Sequence, residues 1–231
     1  MSESVTQHDW DERANSDLVL ISPHLSSSPP VRAPIALGIM ASGSGTNFAA
    51  VAKAIAEGKL NAEIQVLIYN NPDAEVKQKA QEYNIPTVLI DHRQYSTREN
   101  LDHEIVAVLK AYGVDWVVMA GWMRITTQVL LNDYTDRIIN IHPSLLPSFK
   151  GNKAIEQTLA AKVKIAGCTA HLVSLEVDSG EIIMQAAVPV LPDDTLDSLH
   201  KRIQVQEHRI LPQAIAIAVS KSSQSRIQTD I

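Results

Sequence analysis

The sequence predicts an α/β fold: a mostly parallel twisted sheet with helices on both faces, closed by an antiparallel C-terminal portion. Three observations point there. Short apolar runs alternate with segments of helical period. The polar motifs fall where those runs stop, which is where open α/β sheets bind ligands. The last two runs flank Asp178-Ser179-Gly180, a turn suited to an antiparallel pair.

Ile35–Met40 is the first run, followed by a helix over Phe48–Ile55, rich in alanine and valine. Ile64–Tyr69 is the second, closed by Asn70-Asn71-Pro72. A helix over Ala74–Tyr83 leads to a short strand, Thr87–Ile90. Arg98–Tyr112 places Leu101, Ile105, Val108 and Leu109 at helical spacing. Trp116–Ala120 reads as a strand buried on both faces, and Ile138–Ile141 as another, stopped by Pro143. A helix near Ala154–Ala161 precedes the antiparallel pair, Cys168–Leu175 and Ile182–Val190. A long helix, Leu196–Val219, ends the Rossmann-like pattern, with Pro212 as a point of kinking.

The domain is assigned to residues 34–221. Residues 1–33 read as a flexible polar extension, broken at Ser26-Ser27-Ser28-Pro29-Pro30, and residues 222–231 as a polar tail. The early acids and missing apolar core of the N-terminus do not match a secretory signal. A net charge of −6 argues against broad nucleic-acid or membrane-surface binding. Any anionic substrate must then be met by local donors. One cysteine, Cys168, permits no intrachain disulfide and suits a reducing cytoplasm. No CxxC, HExxH or histidine cluster suggests a metal site.

Met40-Ala41-Ser42-Gly43-Ser44-Gly45-Thr46-Asn47 joins the first strand to the first helix. Its glycines let a ligand approach the backbone, and the helix start offers free N–H groups to an anion. Thr46 and Asn47 are placed to cap that helix or to touch the ligand. The loop lacks the third glycine of the dinucleotide fingerprint, because position 48 is Phe, and lacks the Gly-Lys-Ser/Thr of a Walker loop.

The most informative segment is Asn140-Ile141-His142-Pro143-Ser144-Leu145-Leu146-Pro147. Asn140 and His142 are two apart on a strand and share one face, while Ile141 points to the core. An amide can donate to a developing oxyanion, and an imidazole moves protons near neutral pH. Asp178, 36 residues beyond His142, is the candidate carboxylate to partner the ring. His171 reads either as an inward group beside them or as a packed core histidine. With Cys168 read as buried packing, direct attack by a substrate amine is expected rather than an acyl-enzyme.

These residues resemble the folate-dependent formyltransferases of the phosphoribosylglycinamide formyltransferase family, over about residues 34–215. The likeness takes in Ser42-Gly43-Ser44-Gly45-Thr46-Asn47, Ala120-Gly121-Trp122-Met123-Arg124-Ile125, the Asn140–Pro147 segment, Asp178-Ser179-Gly180 and Gln204-Val205-Gln206-Glu207-His208. It implies transfer of the formyl group of 10-formyltetrahydrofolate, as co-substrate, to the amine of glycinamide ribonucleotide in de novo purine biosynthesis. Asn140, His142 and Asp178 would be the catalytic trio. Gly45, Thr46 and Asn47 would bind the phosphate, and Gln204 and Glu207 the ribose and glycinamide end. Arg98, Met123, Arg124, Ile125, Thr126 and Asn140 would line the folate site together with Ser174, Leu175, Glu176, Val177 and Asp178. Trp122 is expected in the core. A monomer or homodimer, cytoplasmic and free of metal, is the expected form.

Two departures flank the site. Asn152-Lys153 follows Gly151 where the family has Ile-Arg or Leu-His, and Glu181 follows Gly180 where it often has proline. A methionyl-tRNA formyltransferase would add a C-terminal nucleic-acid-binding domain, and a formyltetrahydrofolate hydrolase an N-terminal regulatory one; neither is expected here. A non-catalytic nucleotide-binding module would explain the glycine loop and leave the Asn140–His142–Asp178 set without a purpose.

Overall fold

The computed structural model describes residues 20–24 and 33–229. Its eight strands form one sheet: β1 Leu20–Ser22, β2 Ile35–Ala41, β3 Ala62–Tyr69, β4 Thr87–Leu89, β5 Trp116–Met119, β6 Ile138–His142, β7 Ile165–Leu172 and β8 Ile182–Pro189. The spatial order is β1-β8-β7-β6-β5-β2-β3-β4. The strands from β6 to β4 pair in parallel, and β7, β8 and β1 add to β6 antiparallel.

Among the described residues, six α-helices cover the sheet: α1 Thr46–Ala56, α2 Val76–Glu82, α3 Arg98–Ala111, α4 Gln128–Asp133, α5 Ala154–Ala160 and α6 Leu196–Thr229. The period-2 alternation of strand side chains divides the interior in two. Leu37, Ile39, Leu67, Val118 and Ile139 meet Phe48 and Val51 of α1 and Leu199 and Ile203 of α6 on one face. Met40, Val66, Ile68, Val117 and Ile138 meet Leu101 and Ile105 of α3 and Leu130 of α4 on the other. Each such fully buried side chain contributes roughly 1.5–3 kcal/mol of hydrophobic stabilisation.

From β2 the chain runs outward to β3 and β4, then returns to lay β5 on the other side of β2. The carboxyl ends of β2 and β5 thus form the switch point at which such sheets open a crevice. Ala120 N–H donates to Met40 O at 2.9 Å and Ser42 N–H to Gly121 O at 3.0 Å, fastening the two loops that leave it.

The structure corrects several expectations from sequence. Within the extension assigned to residues 1–33, Leu20–Ser22 pairs antiparallel with β8, with Leu20 opposite Ala187 and Ser22 opposite Gln185. Ile21 packs against the core, which a three-residue strand achieves only because β8 offers an open ladder. The remainder of residues 1–33, apart from 23, 24 and 33, lies outside the described residues. The closing helix passes through Pro212 and continues to Thr229, so the assigned tail 222–231 is helical over its described length. The strand placed at Cys168–Leu175 is Ile165–Leu172; beyond Leu172 the chain leaves the ladder to form the Asp178 loop. Helix α4 was not anticipated, because six residues give too little period to read.

Candidate active site

Backbone hydrogen bonds along β6 turn Asn140 and His142 to the same side, with Ile141 buried opposite. The loop after β6 is fixed by neighbouring strands. Thr169 donates its hydroxyl to Ser144 O at 2.7 Å and accepts from Leu146 N–H at 3.0 Å, and Gln185 Nε2 donates to Leu146 O at 3.0 Å. This loop delivers the Phe149 carbonyl to His142 Nε2 at 2.9 Å.

Asp178 reaches the same point from the loop between β7 and β8. Its backbone is left-handed, φ 51°, a conformation aspartate tolerates better than most residues. One carboxylate oxygen lies 3.4 Å from His142 Nδ1 and accepts from Gly151 N–H at 2.8 Å. The other lies 3.6 Å from His171 Nε2. Burial works against the charged carboxyl, yet the His171 ring, the Gly151 N–H and His142 outweigh it and hold Asp178 below the ordinary aspartate range. His142 has an acceptor beside each nitrogen, so its doubly protonated form donates on both sides.

His171, 2% exposed, completes the cluster. Its Nδ1 lies 2.8 Å from Leu172 O, and its Nε2 lies 3.2 Å from Asn140 Nδ2 and 3.6 Å from an Asp178 oxygen. The His171 ring thus holds the Asn140 amide beside Asp178.

The glycine loop ends at Gly45, φ 73°, which is the N-cap of α1. An added Cβ there would lie 2.3 Å from a Val76 methyl. Thr46 and Asn47 do not cap the helix, contrary to one of the two roles expected; they turn to α6 instead. Thr46 Oγ1 accepts from Gln204 Nε2 at 3.0 Å, and Asn47 Nδ2 donates to Glu207 Oε2 at 2.9 Å. Glu207 is 5% exposed, so burial pushes its carboxyl up, partly offset by Asn47 and His200. Asn47 Oδ1 is buried without a partner.

A single cleft of about 790 Å³ joins these parts. The glycine loop, Gln204 and Glu207 line it, as do Arg98, Met123, Arg124, Ile125 and Thr126, and so do Asn140, His142 and Asp178. Ser174, Leu175 and Val177 also line it. Glu176 does not; its side chain pairs with Lys150 at 3.2 Å. Trp122 is 6% exposed, in the core as expected, and Cys168 is fully buried. Burial raises the Cys168 thiol well above its usual range, leaving a poor nucleophile. Sequence reading missed Phe149, which acts through its backbone, and Tyr95, Ser96 and Thr97, which enter the cleft ahead of Arg98.

Among the described residues, no helix is long and apolar enough to cross a membrane, and no three metal-ligating side chains gather. The chain is 36% identical over 177 residues to a phosphoribosylglycinamide formyltransferase of Bacillus subtilis (strain 168), covering 77% of this chain and 91% of that one. It is 39% identical to the human trifunctional purine biosynthetic protein adenosine-3, matching 81% of this chain but only 19% of the relative. The chain thus spans about a fifth of the length of such trifunctional relatives. The solved glycinamide ribonucleotide transformylase 1 of Symbiobacterium toebii superimposes with a TM-score of 0.80 at 41% identity, over 85% of this chain and 94% of that one. The phosphoribosylglycinamide formyltransferase of Bacillus halodurans gives 0.78 at 42%, over 81% and 96%. An amide, an imidazole and a carboxylate around one cleft thus stand on a scaffold shared with these proteins, and with a Formyl transferase match running from residue 36 to residue 215, the chain belongs to the formyl transferase family.

Proposed function

We propose that this enzyme transfers the formyl group of 10-formyltetrahydrofolate to the amine of N1-(5-phospho-D-ribosyl)glycinamide, giving the N-formyl product and tetrahydrofolate for purine synthesis. The observation that carries the reading is the convergence of Asn140, His142 and Asp178 on one cleft that the glycine loop and the 121–126 segment also line.

The substrate amine attacks the formyl carbon, and the carbonyl oxygen takes up negative charge. The Asn140 amide donates an N–H to that oxygen. His142, with Asp178 beside its Nδ1, donates a proton in the transfer. The bond from carbon to the folate nitrogen breaks, that nitrogen takes a proton, and the amine loses one, so the proton count closes through His142 and Asp178. Gly45, Thr46 and Asn47 hold the phosphate with backbone and side-chain donors. Gln204 and Glu207 hold the ribose and glycinamide. Asn47 Oδ1, buried and unpartnered, supports this placement, because a substrate hydroxyl or amide would satisfy it. Arg98, Arg124 and the 121–127 and 173–178 loops receive the folate. The reading places the reaction in the cytoplasm, in keeping with the buried, unpaired Cys168.

The test is incubation with each substrate alone and both together. Tetrahydrofolate release that requires the ribotide supports transfer. Release from folate alone identifies a hydrolase, and no release with either substrate overturns the reading.

A further inference from the structure

The loop 121–127 is the least self-supporting wall of the cleft. Met123 is 68% exposed and Ile125 47%, and Arg124 Nε donates only to the neighbouring Met123 O. Trp122 packs one point of the loop into the core. The rest of its register comes from two polar ties to other elements.

At one end, Ser42 of the glycine loop grips it twice. Ser42 N–H donates to Gly121 O at 3.0 Å, and Ser42 Oγ accepts from Met123 N–H at 2.8 Å, across 81 residues of chain. At the other end, Asp102 of α3, 2% exposed, accepts from Thr127 N–H at 2.6 Å. Neither residue was singled out by its chemistry in the sequence, and Asp102 does not line the cleft.

We propose that Ser42 and Asp102 are positioning residues that clamp the 121–127 loop in register for the folate, and that Ser42 ties this register to the loop that receives the ribotide. The inference rests on the proposed reaction for its ligands, and on hydrogen bonds alone for the clamp. Asp102 acts on one half of the site. Ser42 belongs to both halves, so occupancy of one end is felt at the other. A buried carboxylate bound to a backbone N–H suits this task, because such a bond is stronger than a neutral one and its loss strands a donor.

The experiment uses the full chain and the variants Asp102→Ala, Asp102→Asn, Ser42→Ala and Ser42→Thr. Asp102→Ala should raise the folate KM by roughly 10-fold or more while the ribotide KM stays within about twofold. Asp102→Asn, which keeps one acceptor oxygen, should fall between it and the parent. Ser42→Ala should raise the folate KM by about 3- to 10-fold and shift the ribotide KM with it, and Ser42→Thr should restore both. Amide hydrogen exchange without ligand reads the clamp independently of turnover. Exchange in Asp102→Ala and Ser42→Ala should quicken within 121–127 and stay at the parent rate in β5 and β6. Unchanged exchange in the loop, or an equal rise throughout the sheet, overturns the clamp. If the parent chain transfers no formyl group, the proposed reaction fails while the exchange result still decides whether the clamp exists.

Discussion

Gln204 Nε2 donates to the Thr46 hydroxyl at 3.0 Å, joining the closing helix to the start of the first one across 158 residues of chain. One turn further along, Glu207 accepts from Asn47 at 2.9 Å. The part of the cleft proposed for the ribotide is therefore built by the two ends of the fold meeting.

Glu207 sits there at a cost. Burial raises its carboxyl above the ordinary range. A carboxyl whose folded pKa exceeds its unfolded one favours folding at low pH and loses that benefit as pH rises through the folded value. Glu207→Gln, which keeps an acceptor for Asn47, should melt about 2–4 °C higher at pH 8, with a smaller gain at pH 5. Ribotide affinity should fall by about 10-fold. Melting curves at both pH values and a ribotide titration check the pair of effects; a gain that is larger at pH 5 contradicts the assignment.

His142→Ala should lower kcat by on the order of 10²–10⁴ while ribotide binding persists, because the proposed mechanism gives the ring the proton transfer and gives the glycine loop the phosphate. A folate-absorbance assay run beside calorimetric binding separates the two. Undiminished turnover would remove His142 from the chemistry.

Asp178 is charged throughout the neutral range, held below its ordinary value. Its contribution to stability is present above the unfolded carboxyl pKa and is lost as pH falls through the depressed folded one. Asp178→Asn should cut turnover by on the order of 10²-fold and alter the pH profile of the rate, because the His142 ring loses its carboxylate partner. The same variant should flatten the loss of stability on acidification. A rate profile that keeps its shape would reduce Asp178 to a turn residue.

Gly45→Val meets two obstacles, a left-handed backbone and a Cβ position 2.9 Å from the Val76 backbone. A loss of about 1–3 kcal/mol in stability is expected, together with a rise in the ribotide Kd that exceeds any change for folate. Denaturant melts and paired titrations measure both. Equal weakening of the two ligands would point to a general loss of structure.

The pairing of Asn140 with His142 was legible because it rests on rules that act locally. A period of two places Asn140 beside His142, and Pro143 ends the strand where the crevice must open. The glycine loop was legible for the same reason, being bounded by a clear strand and a clear helix. The Phe149 carbonyl was not, since any residue carries one. The hold of Asp102 on Thr127 was hidden too, because aspartate on a predicted helix reads as solvated until its neighbours are known. The Leu20–Ser22 strand depends on a partner more than 160 residues away, and its own three residues hold no period. The end of β7 was misplaced because Val173 and Leu175 continue the apolar character of the strand, although Val173 N–H leaves β8 and donates to Ile138 O.

That short β1 ribbon has a practical consequence for anyone trimming the protein. The family match begins at residue 36, so a fragment cut to that boundary would discard Leu20–Ser22. Peptide groups of Gln185, Ala186 and Ala187 would then face water as an open, adhesive rim, inviting a strand from another copy. The pieces of chemistry would all survive such a cut; the tendency of the molecules to stay apart would not.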